Sequence, residues 1–217
     1  MAVLFSSEEF EKLKEALVFY NCALMNVRTR IDILLEYYTN LRSYNPIEHV
    51  KNRLKSPERI AEKLQRRGFD ITSECAVKNL TDIAGIRCIC SYNRDIFQMV
   101  AILKRQPDIK IIGEKDYVSN PKPSGYRSYH MILEVPVYLS ETTEYIPVEL
   151  QLRTQAMDFW ASLEHKVKYK YNDQMPETLL KALLSCANEI DDLDAKMFNI
   201  QEVADLTRQE PMQLPNT

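Results

Sequence analysis

The segment Val148-Glu149-Leu150-Gln151-Leu152-Arg153 alternates apolar and polar residues. In a strand this period of two sends Val148, Leu150 and Leu152 to one face and Glu149, Gln151 and Arg153 to the other. Three long polar side chains on one face line a cleft or face water, and a carboxylate among them can take a proton. A second carboxylate, Asp82, stands before Ile83-Ala84-Gly85-Ile86-Arg87. An acid at a strand entrance followed by small residues can hold a divalent ion near a phosphate, since magnesium needs only one or two carboxylates plus substrate oxygens. The plainer alternative is a turn cap. Arg87 is out of phase with Ile86 and Cys88, and its planar guanidinium suits a nucleobase face, a phosphate or a structural ion pair. The stretch Lys122-Pro123-Ser124-Gly125-Tyr126-Arg127-Ser128-Tyr129-His130 mixes bases with aromatics. Tyrosine can stack on a purine while Lys122, Arg127 and His130 reach phosphates, or the stretch is a hairpin loop with surface aromatics.

Charge points the same way. Lys51, Arg53, Lys55, Arg59, Lys63, Arg66 and Arg67 lie close together against only Glu58 and Glu62. A locally basic segment in a chain of net charge −3 fits a compact polyanion such as a nucleotide polyphosphate better than a long nucleic acid. A solvated helix face with i,i+4 ion pairs is the alternative. The four glycines fall far below the roughly fifteen that an average usage of about 7% would give, and they form no glycine-rich phosphate loop. The five cysteines contain no C-x-x-C, and the three histidines are too scattered for a metalloprotease motif. Cys88 and Cys90 alternate with Ile89 and read as small core residues. No apolar run reaches the ~18–20 residues of a membrane span, and Met1–Glu9 has no basic start of a secretory signal. These features fit a reducing cytoplasm, and no membrane partner is expected.

The elements that must position these residues follow. Ser6-Ser7-Glu8-Glu9 is a capping box opening a long helix with the stripe Leu13, Leu17, Tyr20, Leu24, Val27, Ile31, Leu34 and Tyr38. Asn40–Ser56 reads as irregular. Ser56-Pro57 opens a helix that runs to Arg67 and stops at Gly68. Strands are expected at Ile83–Cys90, within Ile109–Val118, and at Tyr129–Tyr138 and Glu144–Arg153, the last two as a hairpin. Helices are expected at Asn93–Gln106, Gln155–Tyr171 and Pro176–Leu206, with a loose polar tail to Thr217. The acidic Glu189-Ile190-Asp191-Asp192 reads as a solvated helix face. The whole is an α+β fold, a mixed sheet flanked by helices. It divides into a helical element at 1–44, a core at 45–171, and a C-terminal helix and tail at 172–217.

Taken in order, Arg53-Leu54-Lys55-Ser56-Pro57, Lys63 and Arg66, Asp82–Arg87, Lys122–His130, Val148–Thr154 and Trp160–Lys166 resemble the synthetase domain of the RelA/SpoT family. The length and long end helices resemble a small alarmone synthetase of the RelQ type. The resemblance implies a nucleotidyltransferase-like mixed sheet and a pyrophosphokinase that moves the β,γ-pyrophosphoryl group of ATP to the 3′-hydroxyl of GDP or GTP. It implies Mg²⁺ at Asp82, shared with Glu149, and Glu149 as general base. It implies Arg53 and Arg87 on the adenine, and Lys55, Ser56, Lys63 and Arg66 on the ATP phosphates. It implies Tyr126 on the guanine, Lys122 and His130 on the acceptor phosphates, and Gln151 beside Glu149. As partners it implies ATP, GDP or GTP, a homotetramer, an allosteric pppGpp and single-stranded RNA. No His-Asp dipeptide exists for the family's hydrolase metal site, so hydrolysis of the product is not expected. A nucleotidyltransferase with another acceptor and a non-catalytic RNA-binding or regulatory module are the competing readings.

Overall fold

The computed structural model describes residues 4–171 and 175–209. Helix α1 (Ser7–Leu41) begins where Ser6 Oγ accepts the Glu9 amide at 3.3 Å, the cap read from the sequence. Strand β1 (Ile47–Leu54) follows, then α2 (Pro57–Arg66), α3 (Ser73–Asn79), β2 (Ala84–Cys90) and α4 (Asn93–Lys104). Strands β3 (Lys110–Asp116), β4 (Tyr129–Tyr138) and β5 (Thr143–Thr154) lead into α5 (Gln155–Lys170) and α6 (Glu177–Gln209). The polar tail expected at 210–217 lies outside the described residues.

The five strands form one mixed sheet in the order β1-β2-β5-β4-β3. Strand β2 runs parallel to β5, and every other neighbouring pair is antiparallel. One face carries Ile86, Cys88, Val148, Leu150, Leu152, Met131 and Leu133, all buried. Helix α1 lies across it with Leu13, Tyr20, Leu24, Val27 and Ile31, and α4 adds Ile96, Met99 and Leu103. Each fully buried aliphatic or aromatic chain here contributes about 1.5–3 kcal/mol. The opposite face carries the polar residues. Part of it is covered by α5, which meets α6 in a small second cluster of Trp160, Ala161 and Ala187 against Tyr126, Leu183 and Ile190.

Two expectations change, and one unforeseen helix is added. Asn40–Ser56 is not wholly irregular, because β1 pairs with β2 along Ile47–Leu54. Its apolar residues, Ile47, Val50 and Leu54, miss the period of two because a bulge between Ile47 and His49 shifts the phase of an edge strand. Helix α3 has only seven residues, too few for a readable stripe, and Thr72 Oγ1 caps it by accepting the Cys75 amide at 3.1 Å. The acidic segment of α6 is not simply solvated. Asp191 pairs with Arg127 at 2.9 Å, and burial raises the pKa of the neighbouring Asp194.

Candidate active site

The sheet register arranges the polar face in two rows. One runs Arg53, Gly85, Glu149, Ile132, Gly113 across all five strands. The next runs Lys51, Arg87, Gln151, His130, Lys115. Because β2 and β5 are parallel and paired Gly85 to Glu149, the acid just ahead of β2, Asp82, and the acid near the middle of β5, Glu149, border the same cleft.

Two hollows share Glu149. The first, about 200 Å³, is walled by Arg53, Arg87, Glu149 and Gln151 with Gly85 between them. The second, about 350 Å³, is lined by Lys63, Arg67, Asp82, Lys122, His130 and Glu149, with Tyr117 and Lys115 at its edge. A single carboxylate thus stands on the wall between an arginine-rich hollow and a lysine-rich one.

Asp82 is held by two ammonium groups. Its Oδ2 accepts Lys55 Nζ at 2.6 Å and also Lys63 Nζ. Burial pushes its pKa up, but the two lysine hydrogen bonds outweigh burial and hold it below the ordinary value of 3.8. Burial likewise pulls the pKa of Lys55 down, and Asp82 only partly offsets that. The other carboxylate oxygen, Asp82 Oδ1, is buried and has no hydrogen-bond partner among the described residues. An unpartnered buried anionic oxygen beside a polyphosphate-sized cleft fits a hard cation. No group of three or more His, Cys, Asp or Glu able to hold a metal occurs among the described residues. An ion here would therefore rest on Asp82, Glu149 and substrate oxygens, which is how magnesium binds.

Glu149 sits in a ring of polar side chains, joined by hydrogen bonds except for one longer contact to His130. Gln151 Nε2 donates to its Oε2 at 3.0 Å, and Gln151 Oε1 accepts Arg153 Nη2 at 3.0 Å. Arg153 Nη2 also donates to the Tyr126 hydroxyl at 2.6 Å. That hydroxyl lies 2.8 Å from His130 Nε2, and His130 Nδ1 lies 3.5 Å from Glu149 Oε1. Tyr126 accepts from Arg153, and a single proton bridges its hydroxyl and His130 Nε2, with the donor set by the imidazole tautomer. Burial raises the Glu149 pKa, but His130 and then Gln151 outweigh it, so the carboxyl stays below 4.5 and is ionised at neutral pH. An ionised carboxylate is the form a general base needs.

Most of the residues named from sequence converge here. Arg53, Arg87, Glu149 and Gln151 border the first hollow, and Lys63, Asp82, Lys122, His130 and Glu149 border the second. Lys55 joins them through Asp82. Lys55 and three others line neither hollow. Ser56 spends its hydroxyl on the N-cap of α2, accepting the Arg59 amide at 3.4 Å. Arg66 is exposed, and its neighbour Arg67 lines the second hollow instead. Tyr126 is packed beneath Lys122 and Arg153, whose charges lie 5.0 and 5.1 Å from its ring centre. Sequence reasoning passed over Asp158, whose Oδ1 accepts both Arg87 and Arg153, and gave Arg153 no task of its own. It also missed Tyr117, whose ring carries the Lys122 ammonium at 4.7 Å.

Comparison with known proteins agrees with this geometry. A family model described as the region found in RelA / SpoT proteins matches residues 52–174. The GTP pyrophosphokinase YwaC of Bacillus subtilis is 45% identical over 195 residues, covering 90% of this chain and 93% of the relative. The crystal structure of small alarmone synthetase 2 from Bacillus subtilis superposes with a TM-score of 0.79 at 44% identity, covering 87% of this chain and 97% of that one. That of small alarmone synthetase 1 from Bacillus subtilis, bound to its product pppGpp, gives a TM-score of 0.83 at 30% identity, covering 92% and 100%. A five-stranded mixed sheet with long end helices, two nucleotide-sized hollows meeting at one carboxylate, and a family match over more than half its length lead to one assignment: the chain belongs to the RelA/SpoT family, as one of its small alarmone synthetases.

Proposed function

We propose that this chain makes (p)ppGpp by moving the β,γ-pyrophosphoryl group of ATP to the 3′-hydroxyl of GDP or GTP. The observation that carries the reading is the shared position of Glu149 between the two hollows. ATP takes the first, with Arg53 and Arg87 against its adenine and Lys55 and Lys63 toward its phosphates. The guanosine nucleotide takes the second, with Lys122 and His130 at its phosphates. Tyr126 meets the guanine once Lys122 lifts from its ring.

Two polyphosphates brought together repel strongly, and phosphoryl-transfer sites act mainly by positioning and charge neutralisation. Lys55 and Lys63 supply fixed positive charge, and burial strengthens their pull on a phosphate. Asp82 and Glu149 would hold Mg²⁺, which when bound neutralises phosphate charge and withdraws electrons from phosphorus. Glu149 accepts the 3′-hydroxyl proton as the oxygen bonds to the β-phosphorus. The bond from the β-phosphorus to the bridging α-oxygen breaks, and AMP leaves with that electron pair. His130 and Gln151 keep Glu149 ionised and aimed.

The test is incubation of the full chain with ATP, GDP and Mg²⁺. Guanosine tetraphosphate and AMP should form in equal amounts. Glu149→Gln should lower the rate by about 10²–10⁴, the usual worth of a positioned base. Turnover by that variant at the unsubstituted rate would remove the assigned base. Leu193, Met197, Ile200, Val203 and Leu206 are exposed on α6, which supports assembly of several copies into the tetramer expected from the sequence. Light scattering at micromolar concentration should give four times 25.4 kDa, and a monomer mass would refute it.

A further inference from the structure

Arg153 is the most enclosed charge on the polar face of the sheet, with its side chain only 5% exposed. Its guanidinium has four hydrogen-bond acceptors. Nε donates to Ser128 Oγ at 3.4 Å and Nη1 to Asp158 Oδ1 at 3.1 Å. Nη2 donates to Gln151 Oε1 at 3.0 Å and to the Tyr126 hydroxyl at 2.6 Å. Its carbon centre also lies 5.1 Å from the Tyr126 ring centre. Ser128 and Asp158 take two of the five guanidinium N–H groups. The other two partners are the tyrosine of the acceptor side and the amide that holds the base.

Asp158 extends the chain of contacts. From the first turn of α5, its Oδ1 also accepts Arg87 Nη1 at 2.9 Å. An unbroken path therefore runs Arg87, Asp158, Arg153, Gln151, Glu149, with a branch from Arg153 to Tyr126. One carboxylate oxygen serves both guanidiniums, so any shift of Arg87 onto a bound base changes what Asp158 offers Arg153. Arg87 Nε is buried without a partner among the described residues, so the donor-side guanidinium is incompletely satisfied as it stands. Only a planar fork reaches Asp158, Gln151 and Tyr126 at once, and a lysine ammonium at this site cannot replace it.

We propose that Arg153 is a positioning residue for the transfer, and that Asp158, shared by Arg87 and Arg153, ties the donor-side clamp to Tyr126 and to the base. The proposal rests on the function proposed above. Product formation by the unsubstituted full chain is the control that separates the two: if none forms, the function itself fails. Given that activity, steady-state kinetics of Arg153→Lys, Tyr126→Phe and the double variant decide the matter. Loss of charge-assisted hydrogen bonds should raise the acceptor KM about tenfold and lower kcat about tenfold in Arg153→Lys, while the ATP KM shifts less than about threefold. Because Arg153 works through the Tyr126 hydroxyl, the double variant should be no more than about threefold worse than the worse single variant in acceptor KM. Multiplying effects in the double variant would overturn the proposal, as would activity lost only in step with melting temperature. Should Arg153→Lys fail to fold, Asp158→Asn decides alone. It should raise the KM of both ATP and the guanosine nucleotide at least about fivefold, since one anchor serves both sides. A change confined to melting temperature, or to one nucleotide, would refute the shared anchor.

Discussion

Replacing Asp82 with asparagine should separate stability, binding and turnover. Asp82 is the counter-charge of Lys55 and Lys63, and the three side chains are 16%, 9% and 15% exposed. Breaking a buried ion pair from one side costs about 3–5 kcal/mol, and the residual exposure trims this to about 3 kcal/mol. For a chain of this length about 3 kcal/mol lowers the melting temperature by about 6–12 °C. The deficit should shrink at alkaline pH. Burial already holds Lys55 below 10.5, and without Asp82 it falls further. The unfolded chain then binds more protons than the folded one as the pH rises toward 10.5, so relative stability rises with pH through that window. A polyphosphate should also repair the variant, because its oxygens replace the missing carboxylate. ATP analogue in EDTA at a hundred times its Kd adds about 2.7 kcal/mol, nearly the whole loss. Turnover with Mg²⁺ should nevertheless fall by about 10²–10³, since electrostatic stabilisation at the transferred group is lost. Melting curves at pH 7 and 9.5, with and without nucleotide, plus a product assay, read all four quantities. An unchanged melting temperature would refute the ion-pair reasoning. Turnover within about threefold of the unsubstituted chain would refute the catalytic one.

His130→Phe removes the largest influence opposing burial of Glu149, so the pKa of that carboxyl should rise and the acid limb of kcat/KM should move to higher pH. In the unsubstituted chain its lowered pKa contributes stability above about pH 4.5 that fades as pH falls through the lowered value. An acid limb that stays put in a pH–rate profile would contradict the ring. Arg67→Ala should raise the KM of a nucleotide substrate about tenfold while Arg66→Ala changes it less than about threefold, because only Arg67 lines the second hollow. The reverse order in initial-rate kinetics would restore the sequence expectation. Gly125 has φ +88°, and a Cβ there would lie 2.5 Å from Ala187 Cβ. Gly125→Ala should therefore cost more than about 1 kcal/mol and raise the acceptor KM as the loop lifts from α6, measured by urea melts and kinetics together. A variant as stable and as active as the parent would show the loop is not held there.

What the sequence made legible was whatever a local rule controls. The α1 cap, the Pro57 and Gly68 bounds of α2, and the alternation in β4 and β5 all follow from nearest neighbours. That alternation was enough to put Glu149, Gln151 and Arg153 on one face. Strand β1 escaped because its bulge breaks the period, and α3 because two turns show no stripe. Arg66 and Arg67 are indistinguishable by composition. In the helix, Arg66 falls two residues after buried Leu64 and points away from the core, whereas Arg67 follows by three and lies four after Lys63, on the same side. Asp158 had no local mark at all. It meets Arg87 across 71 positions of sequence, and only because α5 leaves β5 beside the end of β2.

That last contact shows what the parallel pair achieves. A parallel connection cannot be a tight turn and needs a long crossover. Between β2 and β5 the crossover contains α4, β3, β4 and the loop with Lys122, and it brings Lys115, Tyr117, Lys122 and His130 to the second hollow. The residues of the first hollow that come before it lie on β1 and β2. When the chain returns as β5, it sets Glu149 against Gly85, between what preceded the crossover and what it carried. The carboxylate that both hollows share is thus delivered last along the chain. A slip of one residue in β5 would turn Glu149, Gln151 and Arg153 into the core and expose Leu150 and Leu152. The burial of those leucines against α1 is therefore what fixes the carboxylate between the two hollows.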